Sequence, residues 1–203
     1  MPYYAVANGR MNGIFNTWVE CNKMIKDFKY AKFRKFDTMI EAEEFIKNNT
    51  NKKLETFIPD YYVYTDGSCH NNGKSISTAG IGIYFGENDE RNISKKLDGR
   101  HTNNSAELIA IITAYKIIED DIKNNKKVCI VTDSKYAILC ATSYGKKCSI
   151  NNWNSDIPNK ELVKQIYLNN KNIQYKHIIA HTDNTDIHSI GNNIADMLAN
   201  KSL

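Results

Sequence analysis

The 203-residue chain has no Cys-x-x-Cys pair, and its five cysteines, Cys21, Cys69, Cys129, Cys140 and Cys148, form an odd, scattered set. This excludes a disulfide framework and a cysteine-based zinc site; the cysteines read as reduced thiols. No apolar run approaches the roughly 20 residues of a membrane span. The opening MPYYAVANGR also lacks the basic start and apolar stretch of a secretory signal, so the expectation is an intracellular protein with no membrane partner. Internal repeats and low-complexity tracts are missing too, beyond a general richness in Asn and Lys. What is present, 41% hydrophobic and 25% charged residues, is ordinary for a globular protein. The length suits one ordinary domain plus a small one, at roughly 100–200 residues per domain.

The net charge of +4 is unevenly placed. Residues 1–53 hold ten Lys or Arg against six Asp or Glu, whereas residues 54–203 hold seventeen of each. An electrostatic grip on a polyanion would therefore start at the front. There YAKFRKF alternates Lys32, Arg34 and Lys35 with Tyr30, Phe33 and Phe36, a pattern that fits a half-buried edge strand or a surface that holds and stacks on a charged polymer. Around it, YYAVANGRMNGIF reads as a hairpin with Asn-Gly turns. TWVECNKMIKDF has Trp18, Cys21, Met24, Ile25 and Phe28 at helical spacing, and Thr38 with Glu41 gives the capping box of a second helix. The expected organisation is a small α+β domain over 1–47, a polar linker over 48–60 and a second domain over 61–203.

The second domain reads as three strands followed by strand–helix alternation, an α/β class with a mixed sheet covered by helices. YYVYTD, AGIGIYFG and NISKKL are the strands. NSAELIAIITAYKIIED is a helix with Leu108, Ile111, Ile112, Tyr115 and Ile118 on one face. After it come KVCIVTD, two helices, NIQYKHIIA and a closing helix, NNIADMLANKSL.

Two strands end alike, VYTDGS with Asp66 and IVTDS with Asp133, and strand carboxyl ends are where open α/β sheets bind ligands. Glu107 and Asp196 lie on helices in apolar company, beside Leu108, Ala110, Met197 and Leu198. Singly, each acid has a structural explanation: Asp66 in a turn, Asp133 as a helix cap, Glu107 and Asp196 on wetted helix faces. Together they are hard oxygen ligands delivered by separate elements, as Mg²⁺ sites require. Two such ions about 3.5–4 Å apart suit phosphodiester cleavage.

The ordered set YTDGS, TNNSAELIAI, VTDSKYAI and GNNIADMLA resembles the catalytic domain of type 1 ribonuclease H over residues 61–203. The resemblance implies the ribonuclease H fold, two Mg²⁺ ions for which Mn²⁺ can substitute, and endonucleolytic cleavage of the RNA strand of an RNA–DNA hybrid to 5′-phosphomonoesters. It also implies a metal-binding quartet of Asp66, Glu107, Asp133 and Asp196, with Asp66 bridging both ions. Residues 3–36 are similar to the hybrid-binding domain that precedes the catalytic domain in eukaryotic-type members and raises hybrid affinity and processivity. By that similarity Trp18 and Phe33 pack on DNA sugars, while Tyr4, Lys32, Arg34 and Lys35 hold phosphates.

The same resemblance gives Asn72, Asn103 and Asn104 to the RNA strand, and Arg100, Thr102 and Asn159 to a DNA phosphate pocket. It puts His181, on a loop before the last acid, in the role of proton transfer or product release, with His188 on the same long loop as the other candidate. YGKKCSINNWNSDIP stands where many members carry a basic, Trp-rich protrusion, and offers Lys146, Lys147 and Trp153. A monomer is expected. The rival readings are a binding module without turnover and a DNA-cleaving metal nuclease.

Overall fold

The computed structural model describes residues 2–50, 57–72, 74, 76–170, 172–180 and 184–203. It divides into two compact units, residues 1–57 and 58–203.

In the first unit β1 (Tyr3–Asn8) and β2 (Gly13–Phe15) form the expected hairpin, followed by α1 (Trp18–Ile25), β3 (Lys32–Phe36) and α2 (Met39–Thr50). The sheet order is β2-β1-β3, all antiparallel, so YAKFRKF does supply an edge strand. Thr17 starts α1 with a capping box to Glu20, and Thr38 and Glu41 pair in the same manner ahead of α2. Alternation along the strands sends residues to two faces. Val6 packs with Cys21 and Ile25 of α1, whereas Phe36 meets Phe45 of α2 at 5.3 Å between ring centroids. Helix α2 runs through Thr50, into the stretch read as linker.

The second unit begins with three antiparallel strands, β4 (Tyr61–His70), β5 (Thr78–Tyr84) and β6 (Ile93–Leu97). Then follow α3 (Asn103–Ile117), α4 (Glu119–Lys123), β7 (Val128–Thr132), α5 (Lys135–Ala141), α6 (Ser143–Ile150), α7 (Lys160–Leu168), β8 (Ile173–His177) and α8 (Ile187–Lys201). The five strands are ordered β6-β5-β4-β7-β8, with β7 and β8 parallel to β4. This is the mixed sheet with flanking helices that the sequence calls for. The expected stripe of α3, Leu108, Ile111, Ile112, Tyr115 and Ile118, is buried against Val63, Ile83 and Ile130 of the sheet and Val163 and Ile166 of α7. Helix α6 was not foreseen, because SYGKKCSI has no apolar periodicity to betray it; only Gly145 and Cys148 are buried.

Two differences concern the end of the chain. Helix α8 starts at Ile187 rather than Asn192, because Asp186 caps it by accepting from the backbone N–H of His188 and Ser189. His188 therefore stands in the first turn of a helix, not on a loop. Met197 is also exposed: α8 buries Gly191, Asn192, Ala195 and Ala199, all small or polar, and turns its larger side chains outward.

The small buried face of α8 lets it approach the sheet closely. A Cβ at Gly82 of β5 would lie 1.9 Å from the Ala195 carbonyl oxygen. Gly82→Ala should thus destabilise the protein by about 1–3 kcal/mol, the usual cost of forcing extra volume into a packed core. A urea-unfolding midpoint equal to that of the wild type would contradict this account of the α8–sheet contact.

Candidate active site

Asp66 is the sixth of the ten residues of β4, which runs on to His70 because β5 goes on pairing with it, so Asp66 sits mid-strand and not at the strand end that VYTDGS suggests. It pairs with Gly82 across the sheet, which puts it on the face covered by α8. Its neighbour Gly67 faces α3, where an added Cβ would lie 2.2 Å from the Glu107 backbone nitrogen. The missing side chain at Gly67 is what allows α3 to press on the strand and bring Glu107 to Asp66. Asp133 follows directly on the end of β7. The adjacent Ser134 caps α5 by accepting from the Ala137 N–H, so Asp133 is not used as the cap.

Asp66, Glu107 and Asp133 each present an oxygen such that all three lie within 4.8 Å of one another. Asp196 stands outside this knot but lines the same cleft, of about 370 Å³, with Gly67, Ser68, Cys69, Asn103 and Asn200. Among the described residues this lining contains four acids and no Lys or Arg.

Electrostatics follows from that composition. Asp66 is only 6% exposed. Burial, then the charges of Asp133 and Asp196, push its carboxyl up to about 7, with the Gly67 backbone amide pulling the other way. Glu107 is raised well above the ordinary range, again first by burial and then by Asp66 and Asp133. Although Glu107 is half-buried as a residue, its Oε2 is withdrawn from solvent and has no hydrogen-bond partner among the described residues. An oxygen-only donor set, crowded, desolvated and left with an unpartnered oxygen, fits a hard divalent cation.

Two groups that sequence reasoning passed over support Asp133. Asn192, 2% exposed, donates Nδ2 to Asp133 Oδ2 at 3.3 Å. His177 at the end of β8 lies 3.1 Å through Nε2 from the Asp133 carbonyl oxygen; a carbonyl only accepts, so Nε2 must carry the hydrogen. Asn192 had a legible signal, one helical turn before Asp196 on α8. His177 had none, since parallel strand pairing alone brings β8 to the end of β7.

Around the cleft, Asn72 Oδ1 accepts from the Asn103 backbone N–H at 3.4 Å, with Asn104 exposed alongside. Thr102 caps α3, accepting from Ser105, and Arg100 is exposed two residues earlier. Asn159, in left-handed backbone conformation, donates to the Tyr136 hydroxyl. His181 lies outside the described residues. His188 is wedged edge-on against Tyr62, 4.6 Å between ring centroids, with Nδ1 3.3 Å from the Tyr64 hydroxyl. Trp153, in the segment that stands where many members carry a basic, Trp-rich protrusion, folds back onto Tyr167 and the core.

In the first unit, Trp18 is 46% and Phe33 42% exposed, although both belong to apolar patterns. They form an outward cluster with Tyr4, each ring 5.8 Å from Trp18. Lys35 pairs with Tyr4 in the sheet register and shares this face, and Lys32 is exposed beside Phe33. Arg34, one residue out of phase, lies over the Phe36 ring at 5.5 Å in a shallow hollow with Glu41 and Glu44. The strand period thus separates Arg34, and with it Lys32, from Trp18 and Phe33.

The raised carboxyls carry a sign. Their folded-state pKa values exceed the unfolded ones, so the folded protein holds the extra protons, and stability falls as pH rises from about 4 to about 7. In divalent-free buffer the stability difference between the Asp66→Asn variant and the wild type should widen in favour of the variant between pH 5 and pH 8. Added Mg²⁺ should shrink it. Parallel melting curves across that range would count against the crowding described here.

Residues 59–203 match the family described as RNase H, and residues 2–46 match the Ribonuclease H1 N-terminal domain. The chain is 29% identical over 264 residues to ribonuclease H of Schizosaccharomyces pombe, covering 98% of this chain and 96% of that one. With ribonuclease H1 of Mus musculus it shares 28% over 256 residues, covering 97% and 87%. The solution structure of the PFV RNase H domain superposes with a TM-score of 0.55 at 26% identity, covering 70% of this chain and 93% of that domain. Fold, acidic cleft and both matched segments agree: the chain belongs to the ribonuclease H family.

Proposed function

We propose that this protein hydrolyses the RNA strand of RNA–DNA hybrids endonucleolytically, leaving 5′-phosphomonoesters, and that Asp66, Glu107, Asp133 and Asp196 would hold two Mg²⁺ ions. One observation carries the reading: three carboxylates from three elements have oxygens within 4.8 Å of one another, in a place where their own charges cannot all be tolerated. When bound, the ions supply Lewis-acid activation of the attacking water and charge neutralisation at the leaving oxygen. Mn²⁺ has the same ligand preferences and can substitute.

The remaining roles fall to the chain's own residues. The amides of Asn72, Asn103 and Asn104 offer donor and acceptor together, as recognition of a 2′-hydroxyl demands. Arg100, Thr102 and Asn159 contact DNA phosphates at the rim. His181 assists proton transfer or product release. His188 is less suited, being committed to Tyr62 and Tyr64. The front domain adds affinity: Trp18 and Phe33 give an exposed aromatic surface for sugars, and Tyr4, Lys32, Lys35 and Arg34 hold phosphates, Lys32 and Arg34 reaching round the edge strand. The protein acts as a monomer, and the front domain raises processivity by keeping hold of the hybrid between cuts.

The experiment is a labelled panel of RNA–DNA hybrid, double-stranded RNA and double-stranded DNA with Mg²⁺ or Mn²⁺. Only the RNA of the hybrid should be cut. Asp133→Asn should slow that cleavage by more than about a hundredfold, beyond the 10–100-fold that loss of an outer partner of a metal ligand costs. Cutting of duplex DNA, or full activity in Asp133→Asn, would refute the proposal. Phe33→Ala should weaken hybrid binding by about 1–3 kcal/mol at fixed salt and leave kcat unchanged. A lowered kcat with intact affinity would move Phe33 out of the binding surface.

A further inference from the structure

Asp196 is the acid that the three-carboxylate knot does not include, and its side chain is fixed differently from the others. Asn200, one turn further along α8, donates Nδ2 to Asp196 Oδ1 at 2.9 Å. Ser68 of β4 in turn donates Oγ–H to Asn200 Oδ1 at 2.6 Å. The direction is set by chemistry. An ionised carboxylate only accepts, so the amide must turn its NH₂ to Asp196; its oxygen is then left for a donor, which the Ser68 hydroxyl provides. Ser68 lies two residues beyond Asp66 on the same face of the same strand. The relay therefore references the carboxylate on α8 to the strand that carries Asp66, and it occupies one Asp196 oxygen while leaving the other available.

We infer that Ser68 and Asn200 are positioning residues that hold Asp196 in a single orientation for cation binding; this rests on the cation reading of the cleft given above. Without the relay, Asp196 would have to be ordered by the ion itself, and affinity would fall by that cost. Both residues line the cleft, and Asn200 is exposed to solvent, so removing its amide leaves the core packing untouched.

The test uses the full chain and Mn²⁺ alone, with the electron paramagnetic resonance signal of free Mn²⁺ followed through a titration. Asn200→Ala should weaken Mn²⁺ binding about tenfold, with no change in the melting temperature of the metal-free protein. Ser68→Ala should weaken it in the same direction, and the double variant should bind no worse than Asn200→Ala, because Ser68 acts only through Asn200. Wild-type affinity in Asn200→Ala, or additive losses in the double variant, would overturn the relay. Asp133→Asn separates the two levels. If it loses Mn²⁺ while Asn200→Ala does not, the relay falls and the cation site stands; if Asp133→Asn also binds as the wild type does, both fall.

Discussion

The second domain is organised around an unfavourable interaction. Two unit charges 4 Å apart repel by about 4 kcal/mol at an effective dielectric of 20, and here oxygens of Asp66, Glu107 and Asp133 lie within 4.8 Å of one another, Asp66 and Glu107 withdrawn from water. Such a cluster persists only because packing elsewhere holds its parts in place. The apolar face of α3 anchors Glu107, the fully buried run of β7 delivers Asp133, and a strand shared by both halves of the sheet carries Asp66. The stress is relieved when protons or a cation neutralise it. A permanent electrostatic defect midway along the central strand is compatible with a positively charged ligand.

Close approach makes this possible. Gly67 and Gly82 occupy adjacent strands and face opposite sides, one receiving α3 and the other α8. Any side chain at either would lift a helix, and with it a carboxylate, away from the cleft. The same logic explains why α8 buries glycine, alanine and asparagine instead of isoleucine. Its distance from the sheet matters more to the site than the apolar area it hides.

The first domain solves a different problem. Its core is small, Val6, Cys21 and Ile25 with partly buried Tyr4, Phe15 and Met24 around them. Yet it leaves two large aromatic rings half in water. Leaving Trp18 and Phe33 exposed forgoes burial worth about 1.5–3 kcal/mol for a large apolar side chain. The two rings instead form a surface cluster with Tyr4 on the face that Lys35 shares.

Much of this was legible in the residues. The hairpin, the Thr38–Glu41 cap, the α3 stripe and Asp133 at the end of β7 follow from local chemistry and periodicity, which act over a few residues. Less legible were the features decided by distant partners: α6 without periodicity, Trp153 folded inward, His188 in a helix because Asp186 caps it, Met197 outward because α8 needs small residues inward. The sequence by itself determined which carboxylates sit on strands, after strands and on helices, and that a basic, aromatic segment precedes them in the chain. Only the tertiary structure decided that three acids share a volume smaller than their charges permit, that Arg34 lies on the opposite face from Phe33, and that Ser68 and Asn200 meet across 132 residues of chain to hold Asp196. The reason is physical: propensity is set by neighbours in the chain, whereas repulsion, desolvation and hydrogen bonding are set by neighbours in space.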